Sequence, residues 1–277
     1  MLSTLSSTLS NTPSSNHNTV KIVIPARYAS TRLVGKPLRL LAGKPMIEHV
    51  YHCAKRANLG DIIIATDDVR IQSVCQNFGA KVCMTSPDHL SGSDRLAEVV
   101  QHYAWADETI IINLQGDEPL TPVACLQQVA ANLQQHSNAA IATLATPLTN
   151  EDYQNPNVVK VVQDANQYAL YFSRSPIPYA RLDPQTNPKD QVQDTIQPSD
   201  FALRHIGIYA YRAHFLKRFQ QLSPAPIEQL EKLEQLRALW HGEKIHVGQA
   251  VEIPSHGVDT EADLQAIEQL IQVGFST

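Results

Sequence analysis

The sequence has no long apolar run and no excess of positive charge. None of its apolar stretches approaches the ~20 residues that a membrane-spanning helix needs. The formal net charge is −5, with 22 Lys and Arg against 27 Asp and Glu among 277 residues. General nucleic-acid-binding proteins usually present a basic face, which this balance argues against. We therefore expect no membrane partner and no nucleic-acid partner.

Cysteine is scarce and scattered, at Cys53, Cys75, Cys83 and Cys125. The chain contains no C-x-x-C pair and no histidine at zinc-ligand spacing from a cysteine, so neither a redox motif nor a structural zinc site is indicated. Because disulfides persist mainly in oxidising compartments, we expect reduced, mostly buried thiols in a cytoplasmic protein.

Charge is absent from residues 1–19, which are rich in Ser, Thr and Asn. A secretory signal needs a basic start and a continuous apolar core, and a mitochondrial transit peptide is rich in Arg. Since neither pattern is present, we predict a disordered tail that carries no chemistry.

The common glycine-rich phosphate motifs are also missing. A P-loop requires G-x-x-x-x-G-K-[ST], but here Ser30 occupies the first glycine position and Pro37 follows the lysine. No G-x-G-x-x-G follows the first predicted strand. These absences exclude a P-loop and leave a dinucleotide-binding turn unsupported.

Strands and helices alternate from residue 20 onward. For example, a helix over Pro45 to Ala57 is followed by a buried strand over Asp61 to Thr66. This alternation predicts an α/β fold with a mostly parallel sheet flanked by helices. We expect one domain over residues 20–277, with a smaller β-rich insertion within 153–212. Leucine spacing also predicts one amphipathic helix over Pro226 to Trp240.

A basic loop follows the first strand and carries Arg27, Arg32 and Lys36. The acidic segment LQGDEP, residues 114–119, follows a later strand. In an open parallel sheet, ligands bind at the carboxyl ends of the strands. Cations there suit phosphate oxygens, and carboxylates suit Mg²⁺, so the two loops together indicate a nucleotide triphosphate site. The alternative for the basic loop alone is a solvated surface.

Two aspartates are candidate metal ligands. Asp117 follows a strand too apolar to be exposed, beside a glycine, which favours metal binding. Asp259 precedes a predicted helix, so a helix cap is the alternative there. Helix capping is also at least as good an interpretation for Asp67, Asp68 and Ser93; we predict Ser93 or Asp94 as the cap of its helix.

Seven segments distributed along the chain resemble the 3-deoxy-manno-octulosonate cytidylyltransferases, or CMP-Kdo synthetases, of the sugar-activating nucleotidyltransferase family. They are IPARYASTRLVGKPL, NLQGDEP, SGSDRLAEV, YALYFSRSPIPY, LRHIGIYAYR, LEQLRALWHGEKIHV and GVDTEADL. The resemblance covers nearly the whole chain after the tail. The family's first loop usually reads LPGKPL, so Val34 replaces a proline, and we expect Lys36 to keep its place.

The resemblance implies a Rossmann-like nucleotidyltransferase that joins CTP to Kdo (3-deoxy-D-manno-octulosonate). The products are CMP-Kdo, for lipopolysaccharide biosynthesis, and pyrophosphate. It also implies Mg²⁺ as cofactor, a homodimer, and a cytoplasmic location where CTP is available.

Residue roles follow from the resemblance position by position. The residues implied at the phosphates and cytosine are Arg27, Arg32, Lys36, Ser91, Ser93 and Arg95. The residues implied around Kdo are Gln115, Arg174, His205, Tyr209, Glu234 and Gln235. The implied metal ligands are Asp117 and Asp259, which with Arg27 and Lys36 make up the catalytic set. By periodicity alone, Glu234 and Gln235 would face solvent.

Three alternatives remain open. A related cytidylyltransferase could act on another sugar acid, such as a sialic acid. A second type of enzyme on this fold activates sugar phosphates with UTP, dTTP or GTP. The third alternative is a non-catalytic nucleotide-binding protein of the same fold.

Overall fold

The computed structural model describes residues 19–29, 33–89, 91–179 and 201–274. The predicted tail up to residue 18, Arg32 of the basic loop, and residues 180–200 of the predicted insertion lie outside the described residues. The prediction of one domain with an insertion over 153–212 stays a prediction.

The described part of the chain forms eleven strands. They are β1 (Val20–Ala26), β2 (Leu40–Leu41), β3 (Lys44–Pro45), β4 (Gly60–Thr66), β5 (Lys81–Met84), β6 (Ile110–Asn113), β7 (Ile141–Pro147), β8 (Lys160–Gln163), β9 (Ala169–Ser173), β10 (Leu203–Arg212) and β11 (Ile245–Gln249).

The described part of the chain also forms nine α-helices. They are α1 (Met46–Ala57), α2 (Val69–Asn77), α3 (Gly92–His102), α4 (Val123–Gln135), α5 (Asn150–Gln154), α6 (Ala213–Phe219), α7 (Pro226–Glu231), α8 (Gln235–Trp240) and α9 (Glu261–Gln272). A short 3-10 helix spans Lys36–Leu38. Within the described ranges, no helix combines the length and apolar character needed to cross a membrane.

The main sheet is mixed but mostly parallel, which confirms the predicted fold class. Its main path runs β11-β7-β10-β6-β1-β4-β5, and β8 and β9 extend it beyond β10. Strand β10 is antiparallel to both of its neighbours β6 and β7, whereas β1, β4, β5 and β6 pair in parallel. The carboxyl ends of β1, β4 and β6 therefore meet at one edge, as ligand binding in such sheets requires.

Two apolar clusters cover the two faces of this sheet. One contains Ile22 and Ile24 of β1 with Val129 of α4, and the other contains Val23 of β1 with Leu96 of α3. Successive residues of β1 thus point to opposite helical layers, because side chains alternate along a strand. This explains why β1 reads as a continuous β-branched run. The four cysteines are buried and unpaired.

The predicted helix over Pro226 to Trp240 is wrong, because two helices occupy this stretch. Lys232 adopts a left-handed conformation with φ of 54°, which ends α7, and α8 begins three residues later. Left-handed backbone cannot continue a right-handed helix. Leu230, one of the leucines behind the prediction, is 84% exposed. The break changes the direction in which the residues after it point.

The predicted cap of α3 was also wrong by two or more positions. Ser91, rather than Ser93 or Asp94, is the N-cap, and its hydroxyl accepts a hydrogen bond from the backbone N–H of Asp94. At α2 the capping interpretation of Asp68 is confirmed, since its carboxylate accepts from the backbone N–H of Arg70.

Candidate active site

A cavity of about 480 Å³ opens at the carboxyl ends of β1 and β6. Its walls come from loops after these strands, from the start of α3, from β10 and from α8. Ten of the residues predicted for the site line it: Arg27, Lys36, Ser93, Arg95, Gln115, Asp117, Tyr209, Glu234, Gln235 and Asp259. Residues up to 232 positions apart in the chain are thereby brought to one cavity.

Lys36 forms the centre of a charged cluster at this cavity. Its Nζ donates to Oδ2 of Asp117 at 2.7 Å and to Oδ1 of Asp259 at 2.9 Å. The lysine side chain is 13% exposed, which places the cluster partly out of water. Burial lowers the pKa of Lys36, but the hydrogen bonds and charges of the two aspartates outweigh it and raise the pKa overall. One ammonium thus separates two carboxylates that would otherwise repel each other.

Backbone geometry around Lys36 sets its direction. Gly35 has φ of 65°, and its N–H donates to the carbonyl oxygen of Tyr28 at 3.1 Å, which closes the loop after β1. Positive φ favours glycine, because other side chains clash there. Val34, where the family has proline, is exposed at 65%. Lys36 therefore reaches the cavity although Val34 replaces the proline two positions before it.

The two aspartate loops are joined to each other by backbone. The N–H of Val258 donates to the carbonyl oxygen of Asp117 at 2.9 Å. Thr260, rather than Asp259, is the N-cap of α9, and its hydroxyl accepts from the N–H of Asp263. The alternative interpretation of Asp259 as the cap of this helix is therefore wrong, and its carboxylate contacts Lys36 instead.

Glu118 lies beside Asp117 in the chain, and its carboxyl group accepts a hydrogen bond from the Thr121 hydroxyl. Burial, with a contribution from the charge of Asp117, raises the pKa of Glu118 to about 7. The Thr121 hydroxyl opposes this shift through a hydrogen bond at 3.3 Å. Of two successive acids in this loop, Asp117 is held by a cation, whereas burial favours the neutral form of Glu118.

Arg95 is a buried cation at the start of α3. It is 1% exposed, and its Nη2 donates to Oδ2 of Asp67 at 2.8 Å, while Nη1 donates to the Thr85 hydroxyl. Asp67 therefore fixes an arginine at the cavity, a role that its sequence position after a strand did not indicate. A buried arginine with a carboxylate partner is rigid enough to present its remaining edge to a ligand.

Glu234 and Gln235 line the cavity, although periodicity alone placed them in solvent. The left-handed break at Lys232 restarts the helix, so these two residues face inward at the beginning of α8. Burial raises the pKa of Glu234, and hydrogen bonds from Ser93 and Ser91 partly oppose the shift. The Ser91 hydroxyl lies 3.0 Å from the Glu234 carboxylate, so the cap of α3 also contacts the start of α8.

An aromatic row extends from the cavity into the core. The ring centroids of His205 and Tyr209 are 5.3 Å apart, and those of Tyr209 and Tyr211 are 5.6 Å apart. The two predicted residues on β10 thus share one face. His205 does not itself line the cavity; its Nε2 lies 3.0 Å from the Thr143 hydroxyl, and burial lowers its pKa to about 3. Its imidazole is therefore neutral at physiological pH.

Arg174 also lies outside the residues that line the cavity. Its Nε donates to the carbonyl oxygen of Glu231 at 2.8 Å, and its Nη1 donates to the carbonyl oxygen of Pro156 at 3.2 Å. Its backbone N–H donates to the Glu231 carboxylate. These contacts anchor Arg174 to the end of α7, and its predicted role toward a sugar carboxylate stays a prediction.

Sequence reasoning missed several residues of the cavity. Asn113, Tyr211, Phe215 and Phe219 all contribute to its lining. The aromatic side chains read as ordinary core residues, and no sequence signal set them apart. Asn113 did carry a signal, because it is the one polar residue in the strand segment IIIN of β6.

The chain is similar to known cytidylyltransferases along most of its length. The family model described as Cytidylyltransferase matches residues 21–245. A relative from Idiomarina loihiensis named 3-deoxy-manno-octulosonate cytidylyltransferase is 51% identical over 250 residues, which cover 90% of this chain and 97% of the relative. A relative of the same name from Pasteurella multocida is 51% identical over 253 residues, which cover 91% of this chain and 98% of that relative.

A solved structure shows the same architecture. It is described as CMP:2-keto-3-deoxy-manno-octonic acid synthetase complexed with CTP, and it aligns with a TM-score of 0.81 at 41% identity. The alignment covers 92% of this chain and 99% of that one. The chain belongs to the cytidylyltransferase family and, within it, to the group of 3-deoxy-manno-octulosonate cytidylyltransferases.

The close approach of two loops at Gly116 gives a stability prediction. A Cβ at Gly116 would lie 2.8 Å from the carbonyl oxygen of Pro25, which is backbone and cannot turn aside. We expect Gly116→Ala to lower the free energy of unfolding by about 1–3 kcal/mol, because the added methyl group overpacks this contact. Urea denaturation measures this change. Gly207→Ala is the control, since a Cβ at Gly207 meets nothing within 4 Å. Equal stability of the two variants would contradict this account.

Proposed function

We propose that this protein is a cytidylyltransferase that activates Kdo with CTP for lipopolysaccharide biosynthesis. The observation that carries the proposal is the lining of one cavity, which combines charged and polar side chains. We assign Arg27, Lys36 and Asp117 to a charged end of this cavity, and Tyr209 and Glu234 to a polar end. The relatives' names and the solved complex with CTP support the choice of both substrates.

The proposed reaction is a substitution at phosphorus. The anomeric hydroxyl oxygen of Kdo forms a bond to the α-phosphorus of CTP, and the bond from this phosphorus to the α,β-bridging oxygen breaks. The hydroxyl proton is lost, and pyrophosphate leaves with the bridging oxygen. Since the protein forms no covalent bond, positioning and charge stabilisation account for the acceleration.

The charged end suits the triphosphate. In our proposal Arg27 and Lys36 contact the phosphates, with Arg32 in the same loop. Arg95 contacts cytosine or the neighbouring phosphate, supported by Ser91 and Ser93 at the start of α3. Charge-assisted hydrogen bonds from such cations to phosphate are about twice as strong as neutral ones.

The polar end suits the sugar acid. Gln115, Tyr209, Glu234 and Gln235 line the cavity there and offer both donors and acceptors to hydroxyl groups. In our proposal His205 acts by packing against the Tyr209 ring. For Arg174 to bind the Kdo carboxylate with its planar fork, it has to leave the carbonyl groups that hold it now.

The aspartate pair fits Mg²⁺. Oxygens of Asp117 and Asp259 converge on a single cationic nitrogen, so their positions already suit a shared cation. Mg²⁺ is usually bound by one or two carboxylates together with substrate phosphates. Across the described residues, no three His, Cys, Asp or Glu side chains form a metal-binding group. In our proposal, substrate oxygens therefore complete the shell of the metal ion. When bound, Mg²⁺ would neutralise phosphate charge.

Lys36 contacts the same carboxylates that we assign to Mg²⁺, which suggests an exchange. We propose that Lys36 holds the two aspartates together before nucleotide arrives and then moves its ammonium to the triphosphate. The carboxylates then become available to the metal. On this view Lys36 competes with Mg²⁺ in the free protein and cooperates with it in the complex.

This exchange predicts that Lys36→Met binds a divalent cation more tightly in the absence of nucleotide. Removing the ammonium takes away the cation that the two carboxylates share, and with it the competitor of the metal ion. We expect the Kd for Mn²⁺, measured by electron paramagnetic resonance without CTP, to fall at least about tenfold, or ~1.4 kcal/mol. CTP affinity should fall in the same variant.

Two further variants sharpen the metal test. Lys81→Met removes a lysine that pairs with Asp61, away from the cavity, and should leave Mn²⁺ binding unchanged. Adding Asp259→Asn to Lys36→Met should cancel the gain. Unchanged or weaker Mn²⁺ binding by Lys36→Met would overturn the exchange.

The function itself predicts a strict substrate requirement. Pyrophosphate release should need CTP, Mg²⁺ and Kdo, and omitting any one should reduce the rate to background. N-acetylneuraminate in place of Kdo, and UTP, dTTP or GTP with sugar phosphates, should give little release. Greater turnover with any of these would replace the proposal by the corresponding alternative. No release with any pair would favour a non-catalytic protein.

We further propose a cytoplasmic homodimer. Leu170 and Phe201 are large apolar side chains exposed at 62% and 57%, and both lie in the predicted insertion. Such side chains are often buried between subunits.

The dimer proposal predicts a molar mass of twice the chain in light scattering after size-exclusion chromatography. Leu170→Glu should shift the equilibrium toward monomer, because it places a charge at the proposed contact. Val273→Glu is the control, because Val273 is 80% exposed at the end of α9, outside the predicted insertion. A monomeric wild-type protein would contradict the homodimer.

A further inference from the structure

Asn113 occupies a central position in the sheet and in the cavity wall. It is the last residue of β6, where it pairs with Val23 of β1 and with Tyr209 of β10. Its side chain is in the cavity lining although the residue is only 4% exposed. The backbone is therefore fixed on both sides, and the amide has little freedom to move.

The amide oxygen of Asn113 is an unsatisfied acceptor. Within the described part of the chain, Oδ1 has no hydrogen-bond partner. The great majority of buried side-chain polar atoms in proteins have a partner, so an exception calls for an explanation. A ligand hydroxyl entering the cavity would supply the missing donor without any change in the sheet.

The surroundings of Asn113 indicate which substrate it meets. Register places Asn113 directly opposite Tyr209, at the end of the cavity that we assign to the sugar acid. The Tyr211 phenol lies nearby: burial and the charge of Glu234 raise its pKa, and hydrogen bonds with Ser93 and Asn113 oppose the shift. These neighbours include no cation, which suits a hydroxyl group better than a phosphate.

A second unsatisfied group lines the same cavity. Gln235, 9% exposed at the start of α8, has an Nε2 donor without a hydrogen-bond partner among the described residues. An acceptor on β6 and a donor on α8 thus both await a ligand. A hydroxyl can donate to one group and another ligand oxygen can accept from the other, as polyhydroxylated sugars do.

We propose that Asn113 is a specificity-determining residue whose Oδ1 accepts a hydrogen bond from a hydroxyl group of the sugar acid. The inference rests on the proposed function for the identity of that substrate. A sugar that lacks this hydroxyl leaves a buried acceptor unpaired, and sites of this kind discriminate strongly against such analogues. Asn113 therefore favours sugar acids that carry a hydroxyl group at the position facing its Oδ1.

The experiment combines a variant with deoxy analogues of the substrate. Asn113→Leu keeps the approximate size and removes the acceptor. We expect KM for Kdo to rise about 5- to 150-fold, with KM for CTP nearly unchanged, as for loss of a buried hydrogen bond. The analogues of Kdo lack the 4-, 5-, 7- or 8-hydroxyl. One of them should be a much poorer substrate than Kdo for the wild-type protein, but only slightly poorer than Kdo for Asn113→Leu. That coupling would identify the partner hydroxyl.

A matched control and a second variant separate binding from folding. Asn132 in α4 also has an unsatisfied amide group, but it does not line the cavity, so Asn132→Leu should leave both KM values unchanged. Asn113→Ala replaces Asn113→Leu if the leucine variant does not fold. A folded Asn113 variant with unchanged sugar KM, or with CTP KM raised equally, would overturn the inference.

Failure of the proposed function gives a different result. If wild type prefers another sugar acid in the substrate panel, the identity of the sugar is wrong, and the same variants are measured with that acid and its deoxy analogues. If wild type turns over no sugar acid, both the function and the role of Asn113 are overturned. Normal turnover of Kdo by wild type with no effect at Asn113 overturns only the inference.

Discussion

The structure of the site depends on one ammonium held between two carboxylates. Lys36, Asp117 and Asp259 come from the start, middle and end of the chain. Their loops are joined by this contact, by one backbone hydrogen bond between the aspartate loops, and by a buried apolar cluster that includes Leu33, Leu120 and Val258. The lysine lies between two partly buried negative charges. The same arrangement makes the site ready for a different cation, because carboxylates that accept one ammonium are already positioned for a shared metal ion.

The two ends that we assign to the cavity use different physical means. The charged end relies on full charges, of which Arg95 is fixed by its own buried partner, Asp67. At the other end, burial favours the neutral form of Glu234, so recognition there depends on hydrogen bonds and shape. A triphosphate carries charge wherever it binds, whereas sugars differ mainly in the positions of their hydroxyl groups. The division therefore matches the chemistry of the two proposed substrates.

Much of the fold and part of the site could be predicted from the sequence. Strand β1 and helix α1 were evident because apolar periodicity reflects burial directly. The acidic loop at Asp117 was evident because a polar group follows a fully buried strand. The break at Lys232 was not, since a left-handed lysine leaves no mark on leucine spacing. The pairing of Asp67 with Arg95 depends on tertiary contact between different elements, which periodicity does not report.

The interruption at Lys232 separates changes in α8 from changes in the loops that hold Lys36 and Asp117. Helix α8 carries Glu234 and Gln235, but it is joined to α7 by a short turn rather than by continuous helix. Turns tolerate a change of length better than helices do, so one residue more or fewer there would change the orientation of α8 and of the residues that it carries. The loops that hold Lys36 and Asp117 belong to other strands and would stay in place. A duplicated copy of such a gene could thus acquire a new sugar preference while retaining its nucleotide chemistry.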